Sequence, residues 1–295
     1  MNNADRPESL PAVIVISSHV VRGTVGNRAA VFALETLGFP VWALPTITLP
    51  WHPGHGRATR LVPDETGFSA LVDDLCNVPW LSEVGGILTG YLGAAHQAAP
   101  IAKLIKTLKA KNPEAIYLCD PVIGDAGGLY VPQETAVAIR DQLLPLADIA
   151  TPNRFELQWL TNQSSDDNQL LMSAAEALGP KTVVTTSAHA MMAGSTGNLL
   201  VSGAHTIMAE HRQVNGPSNG LGDLTSALFL ARTLFGQQAE TALKQTTASV
   251  FEVMARAAKR GANELMLAAD ASSLAHPMAM VQMRRIMRPK PKVPA

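Results

Sequence analysis

Short apolar runs alternate with longer amphipathic stretches through the first two thirds of the chain. Residues 13–16 (Val-Ile-Val-Ile) form an apolar run of strand length, and 27–37 carry apolar residues at helical spacing until Gly38 stops them. The same pattern predicts strands at 41–44, 86–89, 115–119, 147–150 and 182–186. Between them it predicts helices over about 97–111, 133–143 and 153–160, the last entered behind Pro152. Unbroken apolar strands separated by helices imply an α/β fold: a mainly parallel central sheet covered by helices on both faces. The rhythm then shortens. Segments 190–193, 198–202 and 206–209, joined by Gly-rich turns, predict a few antiparallel edge strands. Beyond Gly220-Leu221-Gly222-Asp223 only helices are expected, over about 223–234, 239–259 and 263–274. No repeat or linker divides the chain, which predicts one domain over 1–288.

Composition narrows the partners. A hydrophobic share of 47% with 16% charged residues fits a packed chain, and a formal net charge of -1 gives no electrostatic reason to expect nucleic acid or a membrane surface. No apolar run approaches the roughly 18 residues of a membrane span. Residues 1–11 are polar and lack a signal-peptide core, and Cys76 and Cys119 stand apart in apolar surroundings. A cytoplasmic protein with reduced, buried thiols is expected. Arg284, Arg285, Arg288, Lys290 and Lys292 gather at the end between prolines and read as a solvated tail, disordered over 289–295.

Chemistry concentrates where predicted strands end, because ligands of such sheets bind at the carboxyl ends of strands. Ser17-Ser18-His19, Thr89-Gly90-Tyr91, Asp120 to Asp125, Thr151 to Glu156 and Thr185-Thr186-Ser187 all stand at such ends. The Gly220-Leu221-Gly222-Asp223 turn opens a helix, whose unpaired N–H groups and partial positive charge suit a phosphate. A carboxylate beside bound phosphate is repelled by it, so Asp223 is either a general base for an attacking hydroxyl or an ordinary helix N-cap. Asp120, Asp125 and Glu156 offer hard oxygen ligands for Mg²⁺, or else cap helices and pair with basic side chains. Walker-type GxxxxGKS and strand-following GxGxxG motifs are both missing, which disfavours a P-loop NTPase and a dinucleotide fold. His19, His52 and His55 lack zinc spacing; His52 and His55 read as shaping a loop.

These segments together resemble the pyridoxal kinase family of the ribokinase-like superfamily. The resemblance runs from about Val13 to Leu234 and rests on Ser17 to Gly23, Val25 to Ala30, Leu88 to Tyr91, Cys119 to Asp125, Leu146 to Asn153 with Glu156, and the glycine turn. It implies a ribokinase-like α/β fold and ATP-dependent phosphorylation of the 5′-hydroxymethyl of pyridoxal, pyridoxine or pyridoxamine. It gives Asp223 the base role and the Gly220 to Gly222 backbone an anion hole. Ser17, Val20, Thr46, His52 and Tyr91 match vitamin-pocket positions. Asp120, Asp125 and Glu156 match the metal and phosphate region; Thr151, Thr186, Ser187, Gly220 and Leu221 match the nucleotide side. Mg²⁺, often with K⁺, and a homodimer are also implied.

Departures from the family pattern are Leu49-Pro50-Trp51-His52 in place of Phe-Ser-Asn-His, a short loop from Asp125 to Tyr130, and Leu221 in place of a common threonine. Two rival readings follow. Hydroxymethylpyrimidine kinase action is disfavoured by Tyr91 and the Ser17 to Gly23 segment. A non-catalytic vitamin-binding protein is suggested by Pro50-Trp51 and Leu221, and opposed by the retention of Asp223, Asp120 and Glu156.

Overall fold

Strand β1 (Ala12–Val20) is buried along nearly its whole length because both faces of its sheet are covered. Ile14 and Ile16 point into one apolar core, with Phe68 and Tyr117, while Val13 and Val15 point into another, with Leu34 and Leu228. That alternation is the two-residue side-chain period of a strand, and each such residue fully buried contributes about 1.5–3 kcal/mol. The computed structural model describes residues 10–203 and 205–287.

Nine strands make the sheet. From one edge they run β2 (Val41–Leu49), β1, β3 (Val84–Thr89), β4 (Ile116–Cys119), β7 (Ile149–Ala150), β8 (Thr182–Ala188), β9 (Ser195–Ser202), β10 (His205–Arg212) and β11 (Gln282–Arg285). The first six are parallel; β9, β10 and β11 are added antiparallel at the far edge. The remaining two, β5 (Gly124–Asp125) and β6 (Gly128–Leu129), form a separate hairpin.

Helices α2 (Glu65–Asn77), α3 (Ala98–Lys111), α4 (Gln133–Ala138), α5 (Arg154–Thr161) and α6 (Asn168–Ala177) cover the first core. The second lies under α1 (Asn27–Thr36), α7 (Leu221–Leu234), α8 (Ala239–Lys259) and the short α9 (Ala271–Ala275). The mainly parallel α/β sheet with an antiparallel edge is therefore as expected. No helix among the described residues is long and apolar enough to cross a membrane. Cys76 and Cys119 are buried free thiols.

Several local expectations fail for identifiable reasons. Residues 190–193 are a turn; Gly194 (φ 68°) redirects the chain and β9 starts at Ser195. Residues 263–270 are not helical. Leu265 and Leu267 anchor that segment in the second core, and buried Asp270 is gripped by Arg260 (2.6 Å) just before α9 begins. The expected tail contributes strand β11, where Arg284 meets the buried carboxylate of Glu210 at 2.8 Å. The disorder expected over 289–295 lies outside the described residues. Helices α2 and α6 were not foreseen; Asp64 and Asp167 cap them.

Candidate active site

The parallel strands deliver their carboxyl ends to one rim. At the tip of β1, Ser17 is buried and its Oγ accepts from the Tyr91 amide at 3.1 Å. On β2, Thr46 Oγ1 donates to the Tyr91 carbonyl at 2.6 Å, and Gln97 Nε2 donates to the Thr46 carbonyl at 2.7 Å. Tyr91 is thus fixed through its backbone on both sides, while its phenol oxygen accepts from Arg60 at 2.9 Å. Beside it Val20, Val25, Ile47 and Leu49 form a small apolar cluster against which Tyr91 packs. Val20 and Thr46 are themselves fully buried, so they support this corner from behind, and the surface it offers a polar aromatic ring is the partly buried Tyr91.

The chain after β2 closes one side. His52 Nδ1 accepts from the Gly54 amide (3.1 Å), capping the turn at Pro53–His55, and Trp51 Nε1 donates to the Gly56 carbonyl (3.2 Å). The histidines shape a loop, and the Trp51 indole is occupied in that same turn. Burial, reinforced by His55, lowers the His52 pKa, favouring a neutral imidazole.

Opposite, α7 opens on Gly220, whose φ of 84° lies in the left-handed region; a Cβ there would stand 2.1 Å from the Thr24 carbonyl oxygen. Asp223 is therefore not the N-cap. It occupies the first helical turn beside the free amides that begin the helix. A Cβ on Gly90 would fall 2.5 Å from Ser17 Oγ and 3.8 Å from Asp223 Oδ1, so only glycine leaves room where the tip of β1 meets the glycine turn. Burial raises the Asp223 pKa, opposed by the backbone amides of Gly26 and of Asp223 itself. The residue nonetheless keeps a solvent-facing edge.

Behind Asp223 lies Asp120. Ser226 Oγ is placed to donate to Asp120 Oδ2 (2.9 Å), lies 2.8 Å from Thr151 Oγ1, and approaches the Gly222 carbonyl at 3.0 Å. Burial, then the neighbouring Asp223 charge, raises the Asp120 pKa to about 7. Glu156 is pushed well above the ordinary carboxyl range by burial and by Asp120. It accepts from the amides of Ile123 (3.0 Å) and Asn153 (2.8 Å), forming a capping box with Asn153. Exposed Asp125, in the β5–β6 hairpin, accepts from the Gly127 amide at 2.7 Å. The Thr186 amide donates to the Pro152 carbonyl at 2.9 Å, and exposed Ser187 takes a φ of 55° at the same rim.

Asp120, Glu156 and Asp223 make no ion pair with Lys, Arg or His among the described residues. Adjacent buried carboxyls without a cationic partner are an oxygen donor set that fits a hard divalent cation. They are not a closed cage: no three metal-ligating side chains cluster among the described residues, and the Glu156 oxygens already hold backbone amides. The fit is to a hydrated cation shared with phosphates. A surface depression of about 660 Å³, lined by Lys103, Lys106 and Asp141 among others, includes none of these residues.

Sequence reading missed Ser226 and Arg60, and gave Gly26 only as part of the Val25 to Ala30 segment; Ser226 left a signal, three residues beyond Asp223 and so on the same helix face.

The fold and the site together define a ribokinase-like small-molecule kinase. Residues 82–268 match the family model described as phosphomethylpyrimidine kinase. Pyridoxal kinase PdxY of Rubrobacter xylanophilus is 34% identical over 287 residues, covering 93% of this chain and 97% of that protein. The chain belongs to the pyridoxal kinase family. Among solved structures, Leishmania donovani pyridoxal kinase in complex with ADP and pyridoxamine superposes with a TM-score of 0.88 at 27% identity, over 94% of this chain and 100% of that one. A putative phosphomethylpyrimidine kinase from Bacteroides thetaiotaomicron (TM-score 0.84, 22% identity, covering 96% of this chain and 100% of that one) shares the fold.

Proposed function

We propose that this protein transfers the γ-phosphoryl group of ATP to the 5′-hydroxymethyl of pyridoxal, with pyridoxine and pyridoxamine as further acceptors. One observation carries the reading: Asp223 stands in the first turn of α7, with its carboxyl oxygen beside the Gly90–Ser17 corner of the pocket. The ring packs on Tyr91, which buried Val20 and Thr46 support from behind, with Ser17 and His52 at its edge. Asp223 accepts the hydroxyl proton as the oxygen–phosphorus bond forms and the bond to the bridging oxygen of ADP breaks. A pKa raised by burial makes the Asp223 carboxylate a stronger base towards the hydroxyl. The Gly220-Leu221-Gly222 backbone and the first amides of α7 face the transferred oxygens, a stabilisation that outweighs the base itself in phosphoryl transfer. Leu221 is tolerated because such a hole is built from backbone.

Asp120 and Asp125 would hold Mg²⁺ directly or through water, and Glu156, whose oxygens hold the Ile123 and Asn153 amides, through water only. When bound, the ion neutralises charge on the phosphates. Thr151, Thr186 and Ser187 flank the nucleotide, and K⁺ is a further candidate ion at this end. Strand β2 ends the sheet, bridged at Thr48 by Leu61, and the exposed Val21, Trp51 and Leu61 side chains near it support a homodimer. Two free buried cysteines support a cytoplasmic site of action. The chain to residue 288 is read as one kinase domain.

The family model's description favours a second reading, hydroxymethylpyrimidine as acceptor. Incubation with Mg-ATP and a panel of pyridines and pyrimidines, with products identified by mass, separates the two. Phosphorylated pyridoxal is expected. Turnover of the pyrimidine alone establishes the second reading, and the absence of ADP release with every acceptor leaves only a binding protein.

A further inference from the structure

Glu264 belongs to the non-helical stretch before α9 and to no motif above. Its Oε1 accepts from Arg22 Nη1 at 3.1 Å and lies 3.2 Å from His55 Nε2. Its Oε2 stands 2.7 Å from the position of a Cβ on Gly23, so the carboxylate rests directly on that glycine. The next residue, Leu265, accepts at its carbonyl from Thr24 Oγ1 (3.1 Å), and its side chain is buried in the second core. One carboxylate on an anchored segment therefore ties together two turns from different strands, 22–24 after β1 and 52–56 after β2.

Both turns form walls of the site. The second carries His52, and a Cβ on Gly54 would lie 3.6 Å from Asn219 Nδ2, just before the glycine turn. The first carries Thr24, whose carbonyl abuts Gly220, and leads to the Gly26 amide beside Asp223. An isolated exposed ion pair is worth little. Here Arg22 is exposed, but the Glu264 side chain is only 17% exposed and serves two partners on different turns.

We propose that Glu264 is a positioning residue for the alcohol substrate: it holds the 22–24 and 52–56 turns over the vitamin pocket and so sets affinity for the pyridine ring without touching it. The assignment rests on the kinase reading above.

The test compares wild type, Glu264→Gln and the double variant Arg22→Ala/His55→Ala, which leaves Glu264 in place should the first variant fold poorly. Two measurements are made on each: KM for pyridoxal against KM for ATP, and hydrogen exchange of residues 51–57. Loss of charge-assisted hydrogen bonds at the wall is expected to raise the KM for pyridoxal about tenfold, with the KM for ATP within about twofold and kcat falling by less than about threefold. Exchange over 51–57 should quicken in both variants while β1 and β4 stay protected. An unchanged KM for pyridoxal, or equal rises for both substrates, overturns the proposal. If the wild type phosphorylates no pyridine, the functional reading falls by itself. Exchange then decides alone, and unaltered exchange over 51–57 in Glu264→Gln overturns the latch.

Discussion

The charge of Asp223 bears on buried Asp120, and neither carboxyl has a basic partner among the described residues, which sets the electrostatics of the site. Burial, followed by the charge of Asp223, raises Asp120 to about 7. A carboxyl whose folded-state pKa lies above its unfolded value binds its proton more tightly in the native state. Its stabilisation is present below the ordinary carboxyl pKa near 4 and is lost as pH rises through about 7. In protein stripped of nucleotide and metal, Asp120→Asn should therefore melt higher than wild type at pH 8, with the gap closing towards pH 4. Parallel melting curves across that range would show that Asp120 carries no such burden. At this scale, motif order made Asp223, Ser17, Tyr91 and Asp120 legible, because each ends a predicted strand or opens a helix. Glu264 and Arg60 were not legible, since their partners at residues 22, 55 and 91 lie far away in sequence. The metal trio divides as well: Asp120 faces the site, whereas Glu156 is committed to a capping box.

Among the elements, β11 is the least expected and the most easily tested. Arg284 lies in a basic, proline-punctuated sequence that resembles a tail, yet it pairs with fully buried Glu210, which also receives the Met191 amide. Arg284→Ala leaves that carboxylate short of its charged donor. A loss of about 1.5–3 kcal/mol is expected from the urea midpoint. A change below about 0.5 kcal/mol, the usual range of surface substitutions, would mean that β11 is only laid on the edge. The long strands and helices were readable because apolar periodicity is a local signal. α2 carried such a signal, with Phe68, Val72 and Cys76 on one face behind an Asp64 cap. By contrast, the apolar run from Leu265 to Ala269 mimics a helix while its leucines answer to the distant α1–α7 core. At 190–193, hydrophobic residues predict a strand, and the turn at Gly194 prevents it.

For the molecule as a whole, the sheet order places β1, β3, β4, β7 and β8 side by side, so that their ends and the start of α7 meet at one rim. Alternating apolar strands and helices predict that convergence, since parallel strands present their carboxyl ends together. The pocket's closing turns depend on tertiary contacts and are legible only in the fold. In the proposed mechanism catalysis follows from one alignment: a hydroxyl held between Tyr91 and Asp223, with phosphate on the amides opening α7. The direct measurement is turnover of pyridoxal by Asp223→Asn, with ATP and pyridoxal binding measured on the same preparation. The expected result is retained binding with kcat lowered by about 10²- to 10⁴-fold. A kcat reduced less than about fivefold, with both ligands still bound, would remove Asp223 from the base role and contradict the mechanism.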